Sequence, residues 1–226
     1  MKDAEHNPHI KIIKDGPYIV SGNVPLSEKI ITPNGKEYEF KEGIELPQSE
    51  VYSLCRCGKS KRKPFCDGSH EKSGFIGTET ASKDKYEDRA DILVGQDLSL
   101  LDDHRCALAR FCHREEGDAW ELTQKSGNPK YREEAIHAAK DCPSGRLVAV
   151  EKSGKAIEPE YEPSIEIIQD PEKCVSSGIF VKGYITIESA DGSIYETRNR
   201  LMLCRCGESH NKPFCDTEHL RIKFKD

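Results

Sequence analysis

The chain has 226 residues, enough for one large domain or roughly two to three small ones. Its 34 Lys and Arg stand against 40 Asp and Glu, and the net charge of −6 excludes a general phosphate-binding surface. Hydrophobic residues are 35% and charged residues 33%, so the core is thin and the 10 cysteines are the obvious extra support.

The N-terminal residues lack the apolar stretch of a secretory signal. No run approaches the roughly 18 apolar residues of a membrane span. The expectation is a cytoplasmic protein with no membrane or nucleic-acid partner. In such a reducing compartment, clustered cysteines bind metal or do redox chemistry more often than they form disulfides.

The chain begins β-rich. Ile10–Ile13, Tyr18–Ser21, Glu37–Phe40 and Val51–Leu54 are apolar or β-branched and are separated by Asp-Gly, Pro-Asn-Gly and Leu-Pro turn signals. Partial alternation predicts strands with one face toward solvent. A first cysteine cluster follows: Cys55, Cys57 and Cys66, with His70 one helical turn after Cys66. Asp67 is placed to cap that turn. Thr78–Arg89, polar and charged, reads as a linker.

The middle of the chain differs. Cys106 and Cys112 precede Cys142-Pro143 by about thirty residues. Asn128–Cys142 reads as a helix, with Asn128 as cap, Pro129 in the first turn, Pro143 at the end, and Ala135, Ile136 and Ala139 as its apolar stripe. Glu158–Pro163 reads as a second linker. Strands then recur at Ile165–Ile168, Ile179–Val181, Tyr184–Ile187, Tyr195–Thr197 and Leu201–Leu203, and a second cluster closes the chain: Cys204, Cys206, Cys215 and His219.

These outer segments are copies. Ile10–Asp15 matches Ile165–Asp170, Leu54–Gly58 matches Leu203–Gly207, and Lys63–Asp67 matches Lys212–Asp216. The offset is 155 at the front and 149 at the back, which places six extra residues in the first copy, in the loop region Glu28–Glu50. Ungapped alignment sets Cys174 opposite Ile19, an apolar strand position where a buried thiol behaves as a small hydrophobe. His6, His9, His137 and His210 are expected to face solvent.

Three thiols with one imidazole suit zinc or an iron–sulfur cluster. Zinc knuckles use C-x2–4-C spacing, whereas both copies here open with C-x-C. The first copy resembles the CDGSH (mitoNEET-like) iron–sulfur family. Every position of that family's motif, C-x-C-x2-S/T-x3-P-x-C-D-G-S/A/T-H, is matched from Cys55 to His70. The resemblance implies a [2Fe–2S] cluster with one iron on Cys55 and Cys57 and the other on Cys66 and His70. The second copy keeps all four ligand types, Cys204, Cys206, Cys215 and His219, but puts Thr217 and Glu218 in place of Gly68 and Ser69. The Glu218 carboxylate is expected to favour a protonated His219, and so a lower potential or a more acid-labile second cluster.

The middle segment resembles the divergent single-cluster ferredoxins, whose C-x5-C…C-P pattern leaves three thiolates, here Cys106, Cys112 and Cys142. Three thiolates fit a [3Fe–4S] cluster. A [4Fe–4S] cluster needs a fourth donor, and His104 and His113 are near in sequence.

The resemblances imply an α+β fold. Two small β-rich modules, 1–80 and 164–226, form an intramolecular pseudo-dimer in a monomeric chain, joined by a ferredoxin-like segment over 90–158. No nucleophile–base pair, phosphate loop or dinucleotide fingerprint points to an enzyme. Electron transfer with a redox partner is the leading expectation. Cluster delivery to an apo-acceptor, or pH and redox sensing, is the alternative, and a zinc-stabilised interaction module the weaker one. Lys61-Arg62-Lys63 is a local basic patch able to steer an acidic partner.

Overall fold

Alternation of apolar and polar side chains builds the first hairpin. In the computed structural model, which describes residues 7–226, β1 (His9–Ile12) and β2 (Tyr18–Ser21) pair antiparallel and bury Ile10, Ile12, Tyr18 and Val20 on one face. β3 (Leu26–Asn34) and β4 (Glu37–Glu45) form a long hairpin, and β5 (Val51–Leu54) returns to β2. After the short α1 (Ser69–Lys72) and α2 (Tyr86–Arg89), the middle segment adds β6 (Asp91–Val94), β7 (Leu98–Asp102), β8 (His113–Arg114), β9 (Gly117–Asp118), α3 (Ala119–Gln124), α4 (Pro129–Lys140), β10 (Leu147–Glu151) and β11 (Ala156–Ile157). The last part runs β12 (Ser164–Asp170), β13 (Val175–Lys182), β14 (Thr186–Glu188), β15 (Arg200–Leu203) and α5 (Glu218–Arg221).

The two outer segments do not keep their strands to themselves. One sheet has the order β14-β1-β2-β5 and another β15-β13-β12-β3-β4. The late strand β14 lies parallel to β1, and the early strand β3 lies parallel to β12. The exchange is reciprocal, and both sheets feed one core in which Ile10, Val20 and Leu54 meet Ile165, Ile179 and Leu203. The middle segment has its own sheet, β11-β10-β7-β6, and its own core, where Leu98, Leu100 and Leu147 pack on Ala135, Ala138 and Ala139 of α4. Asn128 caps α4 by accepting a hydrogen bond from the Lys130 N–H, and Pro129 sits in the first turn.

Several sequence expectations are corrected. Glu28–Glu50 is no loop, because most of it is the β3–β4 hairpin laid on the other copy's sheet. Ile10 pairs with Val20 as Ile165 pairs with Val181, so the offset rises from 155 to 161 inside the hairpin before it falls to 149. The second copy therefore has the longer hairpin, and Cys174 sits in its turn, exposed and left-handed at φ 54, not on a strand. Tyr184 is also a left-handed turn residue (φ 57), and Tyr195–Thr197 is no strand. Instead Tyr195 packs edge-on against Phe214 and donates from its hydroxyl to Glu79 at 2.7 Å.

Residues 78–89 form an ordered strap rather than a free linker. The N–H groups of Thr80 and Ala81 donate to the Lys212 carbonyl, and the Tyr86 hydroxyl donates to that of Arg146. β13 and β15 do not alternate, because both of their faces are covered. Ile179 and Val181 face the shared core, while Phe180 and Met202 face Ala107, Ala109 and Phe111 of the middle segment.

Arg200, 1% exposed, fastens these parts together. Its guanidinium donates to the carbonyls of Cys142, Ala139 and Leu147 and pairs with Glu158. Arg200→Leu removes the buried guanidinium that bridges the Cys142, Ala139 and Leu147 carbonyls and the Glu158 carboxylate, and is expected to cost about 3 kcal/mol or more in denaturant unfolding. A loss below about 1 kcal/mol would show that the strut is dispensable.

Candidate metal centres

The first donor set is built where β5 ends. The Cys55 N–H donates to the Pro64 carbonyl at 2.7 Å and the Cys66 N–H to the Ser53 carbonyl at 2.9 Å, which closes the loop between them. Asp67 accepts from the Ser69 N–H at 3.0 Å and from the Lys61 N–H at 2.8 Å, and these bonds hold its carboxyl well below the usual range. It braces the turn from outside, while Gly68 takes the cap position at φ +82.

The donors come in two pairs. Cys55 and Cys57 hold their sulfurs 3.8 Å apart, and Cys66 Sγ lies 3.5 Å from His70 Nδ1. That is the separation of two ligands sharing one tetrahedral metal, about 3.8 Å for bonds near 2.3 Å. Yet among the described residues no three His, Cys, Asp or Glu converge on a single-ion site. Together the two pairs offer three thiols and one imidazole, donors that suit a soft metal or an iron–sulfur group. Burial pushes the Cys57 thiol up to about 11 and raises that of Cys66, so loading the site releases protons.

The second set repeats the geometry, with 3.6 Å between Cys204 and Cys206 and 3.5 Å from Cys215 Sγ to His219 Nδ1. Its surroundings differ. His219 is 2% exposed, with Nε2 3.4 Å from Ser177 Oγ, and burial lowers its pKa to about 4. Burial thus works against the protonated His219 expected from Glu218, whose carboxylate accepts from Arg221 at 2.5 Å. Thr217 occupies the left-handed cap position at φ 76 rather than a helical turn, a costly conformation for a β-branched residue.

The two loops touch. Gly58 (φ +71) and Gly207 (φ +86) each leave no room for a Cβ: one on Gly58 would overlap the Cys206 carbonyl, and one on Gly207 the Cys57 carbonyl. From β2, the Tyr18 hydroxyl donates across to the Cys204 carbonyl at 2.8 Å. Sequence reasoning missed Arg56 and Arg205, both 2% exposed. Arg56 donates to the carbonyls of Ile13 and Gly77, and Arg205 to those of Ser177 and Ile168 while pairing with Asp226. The available signal was an arginine between the first two thiols in both copies.

In the middle segment, Cys106, Cys112 and Cys142 line one small cavity of about 30 Å³, with Trp120, Ser144 and residues 107–111 around it. Leu108 (φ 53) and Arg110 (φ 71) are left-handed, and the Leu108 N–H donates to Cys106 Sγ at 3.2 Å. Such alternating backbone makes anion-binding nests of the kind found at iron–sulfur sites. Neither histidine suggested as a fourth donor lines the cavity: His104 binds Asp91 at 2.8 Å, and His113 is exposed. Cys174 joins no donor set. Of the remaining histidines, His137 and His210 are exposed, His9 is half-buried against Glu188 at 3.0 Å, and His6 lies outside the described residues.

Known protein families match the stretches that contain these donor sets. The family model described as iron-binding zinc finger, CDGSH type, matches residues 15–71 and 177–220, and the divergent 4Fe-4S mono-cluster model matches 94–152. CDGSH iron-sulfur domain-containing protein 3, mitochondrial, from Homo sapiens is 56% identical over 27 residues, 12% of this chain and 21% of that protein. The Mus musculus protein of the same name gives 56% over 27 residues, 12% and 20%. The chain thus spans about a fifth of the length of these curated relatives. No solved structure matches. No helix among the described residues is long and apolar enough to cross a membrane.

Two outcomes follow from this geometry. Gly58→Ala and Gly207→Ala each force the two loops apart and are expected to lower iron content at both CDGSH sites. Gly192→Ala, also at positive φ but in open space, strains the backbone without touching either site. Acidification is expected to release iron in two phases. Burial keeps His219 neutral, the form that binds metal, down to about pH 4, whereas Cys66 and His70 of the first site are open to solvent and so to attack on the bound metal. A Cys204→Ala variant, holding only the first site, keeps the phase at higher pH. Retention of the lower phase instead would reverse the assignment.

Proposed function

From the premise that this chain carries two CDGSH iron–sulfur domains around a divergent mono-cluster segment, we propose that it is a non-catalytic electron carrier with three redox centres. The observation that carries this reading is the packing of the three donor sets against one another. The two C-x-C-G loops meet at Gly58 and Gly207, and residues 107–111 of the middle site share a core with Cys215. A protein that stores or delivers a single cluster has no need of this contact.

The paired donors support [2Fe–2S] at Cys55, Cys57, Cys66 and His70, and at Cys204, Cys206, Cys215 and His219. Three thiolates with no histidine lining their cavity support [3Fe–4S] at Cys106, Cys112 and Cys142. Bound clusters supply one-electron exchange. The chain's residues set its conditions. His70 and His219 each replace a thiolate with a neutral imidazole, which makes the donor set less negative and raises the potential over an all-cysteine site. Arg56 and Arg205 fix the ligand loops, so little need reorganise when charge changes. The reciprocal strand exchange supports reading the outer segments as an intramolecular pseudo-dimer.

A second reading, cluster delivery to an apo-acceptor, is favoured by one observation: Cys66 and His70 are half-exposed.

Protein purified without oxygen is expected to hold about seven irons and eight acid-labile sulfides per chain. It should show a [3Fe–4S] signal by EPR as isolated and be reduced and reoxidised with its iron retained. About four irons and four sulfides without that signal would leave the middle segment structural. Iron passing to an apo-acceptor on redox cycling, and blocked by His70→Cys, would install the second reading.

A further inference from the structure

The two CDGSH loops have the same ligands but opposite surroundings. Residues 58–72 carry five cations, Lys59, Lys61, Arg62, Lys63 and Lys72, against Asp67 and Glu71. The matching residues 207–221 carry Lys212 and Arg221 against Glu208, Asp216 and Glu218. In a chain of net charge −6 the first loop is a positive island.

The fold does not use most of that charge. Lys59, Lys61, Arg62 and Lys72 are exposed, and among the described residues none of them forms an ion pair. Their loop contributions run through the backbone: the Lys59 N–H to Cys57 Sγ, the Lys61 N–H to Asp67 and the Arg62 N–H to Ser60 Oγ. Lys63 is different, since its ammonium lies over the Phe224 ring of the C-terminal tail. Asp67, held ionised by two backbone N–H groups, and Glu71 are the loop's two carboxylates against its five cations, which leaves it net positive. Gathered and unpaired, these charges repel one another and gain from a complementary surface.

Access follows the same division. Cys66 and His70 are half-exposed at the centre of the rim. Cys215 and His219 are buried, with Phe224 packed on Cys204 and Cys206 and the middle segment packed on Cys215.

The geometry points to the first CDGSH site as the chain's docking port for an acidic protein, seated on Lys59, Lys61, Arg62 and Lys72 over Cys66 and His70, with the second site closed to direct docking. This rests on the electron-carrier reading of that site. A nucleic acid fits less well, because its phosphates need a basic stripe and this island ends within one loop of an acidic chain.

The test uses a reduced acidic flavodoxin as the protein probe and neutral reduced lumiflavin as the uncharged one, both acting on the full cluster-loaded chain. The rim variant is Lys59→Glu, Lys61→Glu, Arg62→Glu. A remote variant with the same net charge, Lys41→Glu, Lys125→Glu, Lys155→Glu, controls for overall repulsion. The flavodoxin rate is expected to fall with added salt, and to drop at least about tenfold in the rim variant but less than about twofold in the remote one. Lumiflavin should reduce all three alike. Equal flavodoxin rates for the rim and remote variants overturn the port. If lumiflavin reduces none of them, the electron-carrier reading fails, and calorimetric binding of oxidised flavodoxin then decides alone. Binding lost only in the rim variant upholds the port, and binding unchanged overturns it. Rim-dependent binding of a DNA duplex without rim-dependent flavodoxin binding also overturns it.

Discussion

The contact between the two C-x-C-G loops constrains everything around it. Gly58 meets the carbonyl of Cys206, and Gly207 that of Cys57, at separations no side chain permits. Only glycine reaches the left-handed backbone there without strain. Once these loops touch, the strands that carry them are fixed: β5 and β15 end side by side, and β2 and β13 follow as their partners. The exchange of β3 and β14 then locks the halves, because neither half completes its sheet alone. Position at the ligands and stability of the fold come from one arrangement.

Ligand loops driven into an interior bring carbonyls with them, and buried carbonyls need donors. The molecule answers with arginine. Arg56, Arg200 and Arg205 are among its largest fully buried side chains, and each spreads its donors over main-chain carbonyls of neighbouring loops, strands and helix ends. A guanidinium has five N–H donors in a rigid fork, so one side chain satisfies acceptors that would otherwise take several. Two of the three also hold a carboxylate, Glu158 for Arg200 and Asp226 for Arg205, which offsets the cost of burying the charge. In a chain with so few apolar residues, these polar struts do work that a larger hydrophobic core would do elsewhere.

The sequence made local chemistry legible and long-range pairing illegible. The spacing from Cys55 to His70 indicated two donor pairs, and Asn128, Pro129 and Pro143 marked the ends of α4, because cap, turn and ligand spacing are properties of adjacent residues. β3 was unreadable as a strand. Its partner β12 lies far along the chain, and its Lys, Glu and Pro residues look like a loop until that partner is present. Cys174 was misplaced because ungapped alignment cannot show that one copy's hairpin grew while its later connection shrank. β13 lost its alternation to a covering layer that belongs to another segment.

That covering layer makes two near-identical sites unequal. Residues 107–111 seal the outer face of β13 and β15, and Arg110 is clamped there by Asp170 of the lengthened hairpin at 2.7 and 3.0 Å. The C-terminal tail closes the other side, with the Phe224 carbonyl accepting from the Ser176 N–H. In the first copy Cys55 and Cys57 are buried as well, but Cys66 and His70 lie outside these covers and reach solvent. The duplicated motif therefore yields one enclosed site, whose imidazole is held neutral by burial, and one open site ringed by unpaired cations. The enclosed site touches both others, through Gly207 on one side and Cys215 on the other. Its position between them follows from packing alone, and it is what gives a chain with three donor sets an inside and an outside.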